Sequence, residues 1–170
     1  CIKKTSYDQF YNEHIYVFSA IAVSNIIDKF DLEIFDIQKI NTHGGSLRYF
    51  IKRKRNKNLK TLKSVSNQIN SEIKFGLNKL STYRKFGKKT LISKEKLLII
   101  LNNLKKQNKT IAGYGATAKA TTVLNYCNID HNIIDFFIDT TPDKINKYMP
   151  GKKIIIKKYN KKIYQNVDYF

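Results

Sequence analysis

Tyr11, Glu13 and His14 bring a phenol, a carboxylate and an imidazole into one short stretch of chain. Together they offer a hydrogen-bond donor, an orienting anion and a general base, imidazole being the side chain that titrates near neutrality. Taken alone, such residues in a loop are ordinarily surface residues. They become a site only where other polar groups converge on them. His43-Gly44-Gly45 is a second candidate, although its glycines are also what a tight turn requires. His131 stands alone among polar residues and reads as solvent-exposed.

A different chemistry is written at Gly113-Tyr114-Gly115-Ala116-Thr117-Ala118, which fits G-x-G-x-x-A between an expected strand and an expected helix. Glycine serves there because a Cβ would block both the tight turn and the close approach of a phosphate. The amino terminus of the following helix offers N–H groups to an anion, and Lys119 in its first turn adds a point charge. Asp139 ends the next expected strand, as the dinucleotide fingerprint requires. A tight strand-to-helix turn that binds nothing, with Asp139 capping a turn, is the plainer alternative. The strand context favours phosphate binding but does not identify the nucleotide.

The elements that must position these groups follow from periodicity. Residues 1–17 lack a clear period and read as a loop. Phe18, Ile21, Ala22, Ile26, Ile27 and Phe30 recur at helical spacing, with Ser19 available as a cap. Leu32, Ile34, Ile37 and Ile40 predict a strand that ends at Asn41–Gly45. Leu47, Tyr49 and Ile51 alternate in a second, antiparallel strand. Residues 56–107 predict two helices broken near Gly87–Leu91, their lysines forming a solvated face. From Thr110 the pattern becomes strand, turn, helix, strand. Turns at Pro142 and Pro150-Gly151 follow, then a strand over 153–157. This is the start of an α/β nucleotide-type fold.

Composition narrows the class. The chain has 170 residues, 42% of them hydrophobic, with 11 Tyr and 10 Phe. That argues against disorder and for one domain or two small ones. No apolar run is long enough for a membrane-spanning helix. Two cysteines cannot build a disulfide scaffold, and the chain reads as cytosolic. The net charge of +19 invites a nucleic-acid partner. However, Lys, Asn and Ile make up 69 of the 170 residues, with lysines in every segment. A chain-wide bias raises the pI without building a binding face. The chain opens at Cys1 without an initiator methionine and stops as a strand begins at Asn166–Phe170. The expectation is an internal piece of a longer polypeptide, inactive by itself.

The motifs together resemble a known family. Tyr7-Asp8-Gln9-Phe10-Tyr11-Asn12-Glu13-His14, followed by Tyr16 and Phe18-Ser19, resembles the active-site segment of the sugar C-methyltransferases, which act on nucleotide-linked ketosugars with S-adenosylmethionine. Thr42-His43-Gly44-Gly45-Ser46-Leu47-Arg48 is similar to their second signature. Gly113-Tyr114-Gly115-Ala116, Ala118-Lys119, Leu124-Asn125-Tyr126-Cys127, Asp139 and Tyr148-Met149-Pro150-Gly151 are similar to their carboxy-terminal domain. The family commonly has His where Asn12 stands and Gly where Ala120 stands. Its zinc-binding amino-terminal segment and its glycine-rich cofactor loop are not in this chain.

The resemblance implies an α/β fold in three parts. Residues 1–55 would be the end of a class I methyltransferase-type sheet, a helix plus a β-hairpin carrying the active-site loop. Residues 56–107 would be a helical connector, and 108–170 a truncated Rossmann-like domain that binds the sugar nucleotide. It implies a catalytic set of Tyr11, Glu13, His14 and His43. His14 would remove a proton beside a ketone, Tyr11 would hydrogen-bond the developing enolate, and Glu13 would orient His14 or grip a sugar hydroxyl. Gly113, Tyr114, Gly115, Ala116, Lys119 and Asp139 would hold the diphosphate. S-adenosylmethionine would bind outside this chain, and zinc only in the missing amino-terminal segment. The alternatives are an NAD-binding oxidoreductase-type domain, which leaves the first two motifs unexplained, and a basic nucleic-acid-binding module around Lys52–Lys63.

Overall fold

The computed structural model describes the backbone of all 170 residues and the side chains of all but His43, Ile163 and Tyr164. It is a mixed α/β structure with two compact units, one formed by Val17–Arg84 and the other by Cys1–Tyr16 together with Lys85–Phe170.

In the first unit, helix α1 (Ala20–Asp28) leads into strand β1 (Leu32–Ile40). A turn at Thr42–Gly44 then reverses the chain into the antiparallel strand β2 (Ser46–Arg53). Ser19 caps α1 by accepting from the Ala22 N–H at 3.1 Å, the role its position predicts. Ile34 and Ile37 both face the core, although a strict two-residue alternation would put them on opposite faces. A register shift between Ile34 and Asp36 reconciles them. Asp36 Oδ1 holds that bulge, accepting from the Ile37 N–H at 2.7 Å and from the Ser64 hydroxyl at 2.6 Å.

Helix α2 (Lys63–Phe75) adds Val65 to the same core. It also carries Glu72, which is 5% exposed. The Glu72 carboxylate accepts from the Ala20 N–H at 2.9 Å and the Ile21 N–H at 3.0 Å, satisfying two first-turn donors of α1.

Helix α3 (Leu80–Lys106) corrects one expectation. The helical break lies at Gly76–Lys79 rather than near Gly87–Leu91. Gly76 takes φ +89° and closes α2 with its own N–H and that of Leu77 turned back on the Glu72 carbonyl. Gly87 sits inside α3 instead, its carbonyl accepting from the Thr90 hydroxyl at 2.8 Å.

In the second unit, strands β3 (Ala112–Tyr114), β4 (Phe136–Asp139) and β5 (Ile156–Lys158) lie parallel in that order. Tyr169 bridges Ile111 in parallel, with the Ala112 N–H donating to its carbonyl. That N–H leaves β3 on the side opposite β4, because the Ile111 carbonyl accepts from Asp135. The chain therefore runs outward from β3 to β5 and returns to the other side of β3. Open sheets leave a crevice at such a reversal, at the carboxyl ends of the strands. Helix α4 (Ala118–Cys127) crosses from β3 to β4 and packs Leu124 and Cys127 against Phe137, Met149 and Ile154, with Leu97, Leu98, Leu101 and Leu104 of α3 alongside. A short helix α5 (Lys161–Gln165) precedes the last residues.

Candidate functional site

Residues 1–16 are held against α3 and α4. The Tyr7 ring packs on Tyr126 with centroids 4.9 Å apart, and its hydroxyl lies 3.7 Å from Cys127 Sγ. Burial, helped by the Cys127 contact, pushes the Tyr7 phenol up from its ordinary pKa. The Phe10 carbonyl accepts from the Thr122 hydroxyl at 3.0 Å, and the Phe10 ring lies 6.2 Å from that of Phe86. Tyr126 is fixed in turn by α3. The Thr90 hydroxyl proton goes to the Gly87 carbonyl, so Tyr126 donates to Thr90 Oγ1, at 2.8 Å. Thr90 thus anchors both the glycine in α3 and the aromatic pair under the amino-terminal loop.

That loop makes a turn in which the His14 N–H donates to the Tyr11 carbonyl at 2.8 Å, bringing the two side chains together. Their ring centroids are 4.2 Å apart, and the Tyr11 hydroxyl lies 3.1 Å from His14 Nε2. His14 Nδ1 lies 3.1 Å from the Gln9 carbonyl, which can only accept. The Nδ1 atom therefore carries the proton. In the neutral ring, Nε2 is then the acceptor and Tyr11 O–H the donor. The arrangement presents a base whose lone pair is already aimed at a phenol. Glu13 is exposed. His43 lies in the turn between β1 and β2, and its side chain is outside the described residues.

The glycine turn after β3 is built for packing as much as for approach. A Cβ on Gly113 would collide with the Phe137 ring, while at Gly115 a Cβ would meet only ordinary contact with Thr117; Gly115 is needed for its φ of +84°, and its N–H donates to the Ile138 carbonyl at 2.8 Å. Tyr114 is 67% exposed. Thr117 caps α4, its hydroxyl oxygen accepting from the Ala120 N–H at 3.1 Å.

Asp139 is 8% exposed and turned toward the protein's own donors. Its Oδ2 accepts from the Ala116 N–H at 2.8 Å and from Lys144 Nζ at 3.3 Å, and its Oδ1 accepts from the Thr141 N–H at 2.8 Å. Burial alone would push its carboxyl up. The hydrogen bonds from Thr141, Ala116 and Lys144 outweigh it and hold the group well below the usual carboxylate range.

Parts of these segments border a cleft of about 800 Å³, whose lining includes Phe10, Tyr11, Ala116, Thr117, Lys144 and Tyr148 but not Gly113, Tyr114, Gly115 or Asp139. It opens where β3 and β4 end, and the Tyr11 loop forms one of its sides. Tyr11 and Ala116, 105 positions apart in sequence, thus share a cavity. His14 stands behind Tyr11, and the lining lysines are Lys144 and Lys147 rather than Lys119. Nothing in the sequence singles out Lys144 among its 28 lysines. The far wall is held by Asn125, whose Nδ2 donates to the Thr121 carbonyl at 2.9 Å and the Pro150 carbonyl at 3.0 Å.

The cleft can do two things at once. One side offers the Tyr11 phenol, with the His14 imidazole hydrogen-bonded to it from behind. The other offers the start of a helix and two ammonium groups, which suit an anion. Among the described residues no group of three or more His, Cys, Asp or Glu is arranged to hold a metal ion, and no helix is long and apolar enough to cross a membrane.

"C-methyltransferase NovU" of Streptomyces niveus is 27% identical to the chain over 155 residues, which cover 91% of the chain and 37% of that protein. The chain therefore spans little more than a third of that relative's length. Residues 41–170 match the family described as the C-methyltransferase C-terminal domain; the Tyr11–His14 turn precedes that match. On the extent of that match, the chain belongs to the C-methyltransferase C-terminal domain family.

Proposed function

We propose that the chain is the carboxy-terminal part of an S-adenosylmethionine-dependent C-methyltransferase acting on a carbon beside the ketone of a nucleotide-linked sugar. The observation that carries this is the cleft shared by Tyr11, backed by His14, and Ala116–Ala118, where the glycine turn enters α4. A sugar diphosphate nucleotide needs both ends of such a site, one for its anion and one for its reacting carbon.

In this proposal residues 1–55 close a class I methyltransferase-type domain, 56–107 connect, and 108–170 form a Rossmann-like nucleotide-binding domain in the cytoplasm. The segment 1–16 belongs by sequence to the first part and packs with the last. Ala116 borders the diphosphate, Gly113, Tyr114 and Gly115 form the turn that leads to it, Lys119 adds charge in the first turn of α4, and Asp139 shapes the turn from behind. Glu13 completes the catalytic set of this unit.

The chemistry starts when the substrate ketone replaces His14 as the partner of the Tyr11 hydroxyl. His14 Nε2 is then released to take the proton from the adjacent carbon, and Nδ1–H, held by the Gln9 carbonyl, steadies the imidazolium that results. Tyr11 O–H meets the oxygen on which negative charge develops. S-adenosylmethionine supplies the methyl electrophile for the nucleophilic carbon. Among the described residues the glycine-rich strand-to-helix turn is the one at Gly113–Ala116. The diphosphate occupies that turn, so the methyl donor would be held by residues outside this sequence.

Solvent exchange tests the proton step without the methyl donor. In D₂O, the whole protein should exchange the proton beside the ketone of a nucleoside-diphosphate ketosugar, read as a one-dalton gain in mass. His14→Asn should abolish the exchange. Full exchange by that variant would remove the assignment.

A further inference from the structure

We infer that Lys144 is a positioning residue for the substrate cleft, acting with Asp139 on both main-chain groups of Ala116. This rests on the assignment of the cleft to a sugar nucleotide, and it gives Asp139 and Lys144 a role distinct from direct contact with the ligand.

The geometry is a closed ring. The Ala116 N–H donates to Asp139 Oδ2 at 2.8 Å, and the Ala116 carbonyl accepts from Lys144 Nζ at 2.9 Å. The ammonium lies 3.3 Å from the same carboxylate oxygen, which closes the ring. Thr141 fixes the other oxygen of Asp139, so the carboxylate is not free to turn. Ala116 directly precedes Thr117, the cap of α4. Holding its N–H and its carbonyl sets the direction in which the chain enters the helix, and hence where the first-turn N–H groups point.

Charge makes the same demand. A diphosphate brought to this turn meets a buried carboxylate and a main-chain carbonyl, both of which repel it. Lys144 covers both with one ammonium. Without Lys144 the Asp139 charge is buried and uncompensated beneath the anion, a circumstance that is costly in a low-dielectric setting. The carboxylate is needed for the Ala116 N–H, and the lysine is needed to make that carboxylate tolerable beside a phosphate.

The test uses the whole protein and two probes, thymidine 5′-diphosphate and uridine 5′-diphosphate, titrated calorimetrically, with amide exchange followed at Ala116. Lys144→Met should weaken binding of the preferred diphosphate by about 10–100-fold, the range of coupling within one charge network. It should also speed exchange at Ala116 while leaving Ile37 unchanged. Lys144→Arg should restore most of the binding. Adding Asp139→Asn to Lys144→Met should recover part of the affinity, because the uncompensated charge is then gone. A merely structural lysine would give no such recovery. Should Lys144→Met not fold, Lys144→Gln provides the same comparison. The inference is overturned if the lysine variant binds the diphosphate as the unmodified protein does, if Ala116 exchange is unaltered, or if the double variant binds more weakly still. If the unmodified protein binds neither diphosphate, the sugar-nucleotide assignment itself fails and the positioning role falls with it.

Discussion

The Tyr11 hydroxyl lies 3.1 Å from His14 Nε2, with Nδ1 of the same ring tied to the Gln9 carbonyl at 3.1 Å, so one imidazole is held at both ends. When a substrate takes over the Tyr11 hydroxyl, the Gln9 carbonyl still holds Nδ1, and the basic nitrogen is left pointing along the line of the phenol. His14→Asn should therefore lower kcat by about 10²–10⁴-fold, the usual loss for a general base, with little change in KM. Tyr11→Phe keeps the ring contact and removes only the donor to the oxygen. It should lower kcat by about 10²-fold, as other lost oxyanion donors do. Steady-state methyl transfer by both variants checks this, and an effect confined to KM would reassign both residues to binding.

Gly113 is a packing position. A methyl group there meets the ring of Phe137, which is 6% exposed and part of the main core. Gly113→Ala should destabilise the unit by about 1–3 kcal/mol, the range for overpacking a filled site. Chemical denaturation reads this directly. Equal stability of the two proteins would mean that Phe137 moves aside at no cost.

Glu72 is a capping position made by tertiary contact. Glu72→Ala leaves the Ala20 and Ile21 N–H groups without their acceptor and frees the Gln68 amide that donates to the same carboxylate at 2.9 Å. A loss of about 1–3 kcal/mol is expected. Amide exchange should quicken first at Ala20 and Ile21. Unaltered protection there would show that the carboxylate contributes nothing to the helix end.

Two groups set opposite pH limits. Asp139 is held below its ordinary value of 3.8, so the folded protein binds fewer protons there than the unfolded chain. Its contribution to stability is complete above about pH 4 and is lost as the pH falls through its folded value. Tyr49, pushed up to about 12 by burial and by the nearby Glu72 charge, works the other way. Its contribution is complete below about pH 10 and is lost as the pH rises toward 12. Denaturation curves between pH 7 and pH 2 should bring Asp139→Asn and the unmodified protein closer together as the pH drops. A gap that stays constant would mean that the carboxylate charge is irrelevant.

Much of the architecture is readable from local signals, because those signals act over a few residues. Ser19 before an apolar-periodic run, the glycines at 44 and 45 between two alternating segments, and Gly115 before Thr117 each perform a local task that any chain would need. The break between α2 and α3 is less readable. Gly76 and Gly87 look alike in sequence, and what separates them is Thr90, whose hydroxyl serves Gly87 and whose oxygen receives Tyr126 from far along the chain. Ile37 is a similar case, since the bulge that turns it inward depends on Ser64 reaching Asp36. At the cleft, the Gly113 turn and Tyr11 announce themselves by residue type. Lys144 does not, because its meaning lies in the carboxylate and carbonyl that the fold places beside it.

Protection from hydrogen exchange by a nucleotide tests the central claim most directly. The whole protein would be compared with thymidine or uridine 5′-diphosphate and with NAD at equal concentration, with peptides covering residues 7–14 and 113–119 followed together. A sugar-nucleotide cleft bordered by Tyr11 and the Gly113 turn predicts protection of 113–119 by one of the diphosphates, at most weak protection by NAD, and slowed exchange in 7–14 only when the sugar is attached. Strong protection by NAD that is lost in Asp139→Asn, with neither diphosphate protecting 113–119, would contradict it.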